Sequence, residues 1–246
     1  MLIDLTRPSG SAVPVEPSSD APRLDSAGTL RALTGSEIEG IQRAVNDNHP
    51  IVLPTDTVYG IGGNPHSTVA VNAVLAAKGR GRHMPPPVLV ASIDDAVALT
   101  DTVSDDAVKL MERFWPGALT LILTRHRNLD MDLGDILDTV AMRMPDHPVT
   151  LDVLEHCGPL AVTSANRTGQ PPATVIDEAR RAFGDSVAVY IDAGSTPGSV
   201  PSTILDMSGD EPRLVRAGVL GVEDLQRCCR ATIRHHDDEP TRASEA

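Results

Sequence analysis

Apolar and polar positions alternate along this chain in two periods, and both carry structural information. After "TGSEIEGIQRAV", where Thr34 and Glu37 have the spacing of a capping box, Ile38, Ile41 and Val45 recur at helical intervals. A short apolar run at 50–54 predicts a strand. "STVAVNAVLAAK" predicts a helix with Ser67 as its cap, Val71, Val74 and Leu75 on one face, and Lys78 at its end. Strands are expected at 87–92, after the Pro116-Gly117 turn of "WPGALTLIL", at 139–144 and in "PLAVTSAN"; helices fit 94–99, 104–113 and a short segment opened by Pro148. "TVIDEARRAFG" reads as a helix ending at Gly184, and "VAVYID", "STILDM" and "PRLVRA" as late strands. About seven strands interleaved with helices define an α/β fold with a mixed sheet. No internal repeat is visible.

The two ends follow a different pattern. Pro, Ser, Gly and Asp interrupt every apolar run in residues 1–33, which are expected to be a flexible extension dispensable for catalysis, so that a chain starting near residue 33 would fold. Residues 230–246 are expected to be a flexible tail. The cluster of His235, His236, Asp237, Asp238 and Glu239 within it is read as solvated rather than metal-binding, and no metal site is expected. The folded body is therefore placed at 34–229.

Composition narrows the function. The chain has 246 residues, enough for a large core, and 41% of them are hydrophobic while only 2% are aromatic. A net charge of −13 disfavours a broad phosphate-backbone footprint, and scarce aromatics disfavour stacking on single strands. The three cysteines, Cys157, Cys228 and Cys229, form no C-x-x-C pair. No secretory leader or transmembrane run is seen, so a soluble cytoplasmic protein without membrane contact is the expectation.

Several strands stop and hand over to small polar clusters: Thr55-Asp56-Thr57, Thr163-Ser164-Ala165-Asn166, Ser202-Thr203 and Arg216. Thr, Ser and Asn also make ordinary turns. Four such clusters nevertheless point to a shared pocket beyond the strand ends of an α/β sheet. "KGRGRHMPPP" adds charge, because Lys78, Arg80 and Arg82 alternate and would share one side of an extended segment. An Arg fork beside a Lys point charge suits phosphate or carboxylate. There is no Walker A loop, the "GIGGNP" turn has Pro65 where a dinucleotide fingerprint needs its third glycine, and no nucleophile sits in an elbow of glycines. Composition and spacing thus give an anion pocket and no named reaction.

"PTDTVYGIG", "KGRGR", "WPGALTLIL", "TVAMRMPDHP", "PLAVTSANRTGQPP", "PSTILDM" and "LVRAGVL" occur in this order over about residues 35–225. Together they resemble the YrdC family of L-threonylcarbamoyl-AMP synthases. The resemblance implies a single domain with a twisted mixed sheet, helices packed around it and a concave basic cavity. It implies condensation of L-threonine, bicarbonate or CO2, and ATP into L-threonylcarbamoyl-AMP and pyrophosphate, with Mg²⁺ carried by the nucleotide. A partner transfer enzyme then modifies the adenosine beside the anticodon of tRNA. By the family's K-x-R and S-x-N pairs, Lys78, Arg80, Ser164 and Asn166 would hold the phosphates, joined by Thr139 and Arg216 as nucleotide contacts. Thr57, Arg143 and Ser202 match threonine positions; the Thr55 and Thr57 hydroxyls would face a small substrate while the nearby glycines let the backbone approach it. Gly81, Met84 and Leu89 depart from the family's usual Pro, Asn and His. A carbamoyl-adenylate-forming relative and a non-catalytic RNA-binding module are the alternatives.

Overall fold

The computed structural model describes residues 1–6 and 30–235. Among these, eleven strands form one sheet. They are β1 (Leu2–Asp4), β2 (Ile51–Leu53), β3 (Gly60–Gly63), β4 (Val88–Leu89), β5 (Leu119–Thr124), β6 (Thr139–Arg143), β7 (Leu160–Ser164), β8 (Val189–Asp192), β9 (Thr203–Asp206), β10 (Arg213–Arg216) and β11 (Arg234–His235). Their spatial order is β1-β8-β2-β3-β7-β4-β6-β5-β9-β10-β11. Parallel and antiparallel neighbours are both present: β2 runs parallel to β8 but antiparallel to β3, and β5 runs antiparallel to β6 but parallel to β9. The helices are α1 (Gly35–Asn46), α2 (Thr68–Lys78), α3 (Ile93–Ala98), α4 (Asp105–Phe114), α5 (Pro148–Cys157), α6 (Ile176–Phe183) and α7 (Val222–Gln226). None is long and apolar enough to cross a membrane.

Helix starts follow local chemistry. Thr34 caps α1 in a reciprocal box: its N–H donates to Glu37 at 2.8 Å and its hydroxyl accepts from the Glu37 N–H. Ser67 caps α2, which ends at Gly79 in the left-handed region (φ 66°), a conformation glycine adopts without cost. That turn sets the direction of Lys78 and Arg80.

Strand alternation divides the core. Ile51 and Leu53 of β2, with Val189 and Ile191 of β8, pack beneath α1 and α5. Val52 and Tyr190, between them in sequence, face the opposite side against α2 and α6. Farther along the sheet, Leu119, Leu121 and Leu123 of β5 join Val140 and Met142 of β6 in the largest cluster, under α4. Their alternate neighbours therefore lie on the other face, where no helix-borne core cluster covers them.

Three expectations are corrected in whole or in part. Residues 2–4, assigned to a flexible extension, are the outermost strand: β1 pairs parallel with β8, and Ile3 and Leu5 are 2% and 1% exposed. Arg31, in the same stretch, forms an ion pair with Glu37 at 2.6 Å, and its hydrogen bond pulls the Glu37 carboxyl down to about 2. At the other end, Ile233 is core and β11 pairs with β10, so packed structure runs past 229. Residues 7–29 and 236–246, with most of the His/Asp/Glu cluster, lie outside the described residues. The "GIGG" glycines, expected to let the backbone approach a substrate, form β3; Gly60 does line the cavity on the open face of the sheet, but Gly62 answers to strand packing. A Cβ on Gly62 would stand 2.5 Å from Val162 Cγ2 and 2.7 Å from the Ala161 carbonyl, so close strand packing requires glycine there.

Candidate functional site

The uncovered face of β5, β6, β9 and β10 floors a cavity of about 530 Å³. The period-two pattern supplies the floor: Thr120 and Ile122 from β5, Thr139, Ala141 and Arg143 from β6, and Ile204 from β9. Arg216 arrives by a different route. Leu214 is core, so simple alternation would turn Arg216 to the core as well. A register shift between Leu214 and Arg216 inserts Val215, and both Val215 and Arg216 line the cavity.

The ten residues expected to contact substrate all line this cavity: Thr55, Thr57, Lys78, Arg80, Thr139, Arg143, Ser164, Asn166, Ser202 and Arg216. Arg82 does not. Its guanidinium turns away to Asp132, to Asp135 at 3.5 Å and to the Asn72 amide oxygen at 2.7 Å, which corrects the expectation of three cations on one side.

The cations are held mainly by uncharged oxygens. Lys78 is 4% exposed, and its Nζ donates to the carbonyls of Ser164 and, at 2.7 Å, of Asn166. Arg80 Nη1 donates to the Thr163 hydroxyl at 3.2 Å. Arg216 Nη2 donates to the Ser202 carbonyl at 2.7 Å and its hydroxyl at 3.1 Å; that hydroxyl also pairs with Thr120 at 2.8 Å. Burial pushes the Lys78 ammonium down to about 8, helped by the Arg80 charge. Burial also lowers Arg216, with the charges of Arg143 and Arg80 adding to it. Among the described residues, no Asp or Glu lines the cavity, although Asp56 pairs with Arg143 at its edge. The site is thus a cationic pocket, with Lys78 and Arg143 buried and Arg216 at its exposed edge, in a chain of net charge −13.

Several hydroxyls are already engaged. Thr55 Oγ1 donates to the Val58 carbonyl at 2.6 Å and accepts from the Thr57 and Val58 amides, so its first role is to fold the turn after β2. Thr57 Oγ1 accepts from Arg143 Nη1 at 3.0 Å. The Asn166 Nδ2 group donates to the carbonyls of Arg167 and Gln170, fixing the loop whose own carbonyl holds Lys78. Asp56 was not assigned from the sequence, although it sits in the quoted motif. It pairs with Arg143 at 2.5 Å. Only its position between two threonines hinted at a role. Thr120 was missed, since it lies inside β5 rather than at the handover to a turn; Thr163 belongs to a quoted strand-end cluster but was given no role of its own.

A mixed α/β sheet with a cation-lined cavity on one open face is the framework of a protein that binds charged small molecules. The Sua5/YciO/YrdC family model, described as "Telomere recombination", matches residues 43–218, and the chain belongs to this family. A Mycobacterium tuberculosis H37Rv protein, provisionally named threonylcarbamoyl-AMP synthase, is 46% identical over 182 residues, covering 74% of this chain and 84% of the relative. The threonylcarbamoyl-AMP synthase of Bacillus subtilis is 39% identical over 184 residues; the match covers 74% of this chain but 53% of that relative. The crystal structure of P. abyssi Sua5 complexed with L-threonine superposes with a TM-score of 0.76 at 31% identity, covering 84% of this chain and 61% of that one.

Proposed function

We propose that this chain is a nucleotidyltransferase that condenses L-threonine, bicarbonate or CO2, and ATP into L-threonylcarbamoyl-AMP and pyrophosphate. The observation that carries the reading is the convergence of Lys78, Arg80, Arg143 and Arg216 on one cavity of about 530 Å³. That volume suits small-molecule binding, and the charge suits a triphosphate beside an amino-acid carboxylate. The names of the relatives point the same way.

The reaction needs no protein nucleophile. The threonine amine adds to CO2, forming a C–N bond and releasing a proton to solvent. One carbamate oxygen then attacks the α-phosphorus as the bond from that phosphorus to the α,β-bridging oxygen breaks, and pyrophosphate leaves. The protein's work is alignment and charge compensation. Lys78 and Arg80 hold the phosphates and receive the developing charge, Arg216 and Thr139 contact the nucleotide, and Ser164 joins them from the end of β7. Asn166 acts by shaping the loop that orients Lys78. Arg143 takes the threonine carboxylate, with Thr57 and Ser202 close by; Thr55 supports Thr57. With no carboxylate in the lining, the donor set suits Mg²⁺ that enters on the triphosphate as part of the substrate. The labile product passes to a threonylcarbamoyl-transfer enzyme acting on tRNA, which places the reaction in the cytoplasm.

The test is to mix pure protein with ATP, bicarbonate and each amino acid in turn and to follow pyrophosphate. Release that requires threonine is expected. Release indifferent to the amino acid, or none with threonine, would overturn the proposal.

A further inference from the structure

Arg143 differs from the other cavity cations in one respect. Lys78, Arg80 and Arg216 bond to carbonyl and hydroxyl oxygens among the described residues. Arg143 is matched by a carboxylate: Nη2 donates to Asp56 Oδ1 at 2.5 Å, with side-chain exposures of 8% and 15%. Asp56 is itself anchored, its Oδ1 accepting the Asp146 N–H at 3.1 Å. Arg143 Nε donates to the Gly117 carbonyl at 2.9 Å and Nη1 to Thr57 Oγ1 at 3.0 Å. A guanidinium has five N–H donors, so these contacts leave two, one on each terminal nitrogen. Arg143 lines the cavity, and those two are what it can offer a ligand.

We propose that Asp56 is a positioning residue that sorts the two anions of the reaction, reserving Arg143 for a singly charged carboxylate and leaving the polyphosphate to Lys78, Arg80 and Arg216. The inference rests on the proposed reaction, in which a triphosphate and a carboxylate share one cavity. A polyphosphate gains from each unmatched cation in proportion to its several charges. An Arg–Asp pair presents donors with almost no net charge, so most of that gain is absent at Arg143. A carboxylate keeps its benefit, because two fixed N–H groups match its two oxygens in geometry as well as charge. Asp56 therefore costs phosphate more than carboxylate, which is selectivity by withholding charge. It also fixes the guanidinium plane between the turn after β2 and the chain leading into α5.

The test is Asp56→Asn, which keeps size and the acceptor for the Asp146 N–H while removing the charge. Calorimetric titrations of threonine and of inorganic pyrophosphate would be run on both proteins, with thermal melting as a fold control. In the unaltered protein, pyrophosphate should not displace threonine. In Asp56→Asn, pyrophosphate affinity should rise by about tenfold while threonine affinity shifts far less, and the two should compete, each tenfold being one decade of Kd. Asp56→Glu should recover part of the selectivity. Unchanged affinities, or equal weakening of both ligands, would overturn the proposal. If Asp56→Asn does not fold, the unaltered protein decides: displacement of threonine by excess pyrophosphate overturns the idea, and mutual indifference supports it. A protein that binds pyrophosphate but no threonine at all would instead overturn the proposed reaction.

Discussion

Replacing Lys78 by Met separates catalysis from stability, because the two effects have different sizes. The side chain keeps most of its length and loses its charge and donors. The Asn166 carbonyl loses its Lys78 donor, while the Ser164 carbonyl still accepts the Asn166 N–H at 2.9 Å. Leaving the Asn166 carbonyl unsatisfied costs about 1–3 kcal/mol. Against this, the folded protein no longer buries an ammonium, whose pKa has dropped from its ordinary 10.5 to about 8; at 1.36 kcal/mol per unit that relief is worth up to about 3 kcal/mol. The terms largely offset, and a net change within about 2 kcal/mol of zero is expected. Catalysis has no such compensation. Loss of a contact to developing charge on the leaving pyrophosphate costs about 3 kcal/mol, or a hundredfold or more in rate. Urea denaturation reads the first quantity and pyrophosphate release the second. ATP at about a hundred times its Kd should stabilise the unaltered protein by about 2.7 kcal/mol and the variant far less. A folded Lys78→Met protein with near-normal pyrophosphate release would refute the phosphate assignment, and a stability loss above about 5 kcal/mol would refute the cancellation.

The remaining predictions concern other parts of the framework. Arg143→Met should raise the Michaelis constant for threonine by about thirtyfold or more at 1.4 kcal/mol per decade; it should also lower stability by about 3–5 kcal/mol in urea titrations, because Asp56 is left without its partner. An unchanged threonine dependence would remove Arg143 from the substrate. Deleting residues 1–6 removes two fully buried side chains, Ile3 and Leu5, at about 1.5–3 kcal/mol each, so a loss of about 3–6 kcal/mol is expected rather than an unaffected protein. Lys78 also gives a pH signature. Its folded pKa lies below its unfolded value, so between about pH 8 and 10.5 the unfolded chain binds more protons and ligand-free stability should rise with pH through this window. Subtracting the same profile for Lys78→Met isolates this residue, and coincident profiles would refute the burial argument.

Much of the site could be read before the fold was known, for a physical reason. In β5 and β6 every second residue is core, so the alternation in "LTLILT" and "TVAMR" assigns Thr139 and Arg143 to the opposite face directly. The polar clusters at strand ends all border the same cavity because those strands belong to one sheet. The failures come from long-range contacts. β3 has little apolar side chain to betray it, since its glycines answer to Val162, about a hundred residues later. β1 is three residues long and its partner β8 begins at Val189. Arg82 looked like a third cavity cation until Asp132 and Asp135 came within reach. The shift that turns Arg216 inward depends on pairing with β9, which no local pattern records. Asp56 shows the same limit: its role is defined by Arg143, which sits on a different strand.

The central claim is that one cavity joins three small molecules through a carbamate. The most direct measurement is mass spectrometry of the products formed from ATP, threonine and ¹³C-bicarbonate, with pyrophosphate quantified in parallel. The account predicts a threonylcarbamoyl-adenylate carrying a single ¹³C, formed in equal amount to pyrophosphate. Pyrophosphate released with an unlabelled adenylate, or with no adenylate containing threonine, would contradict it.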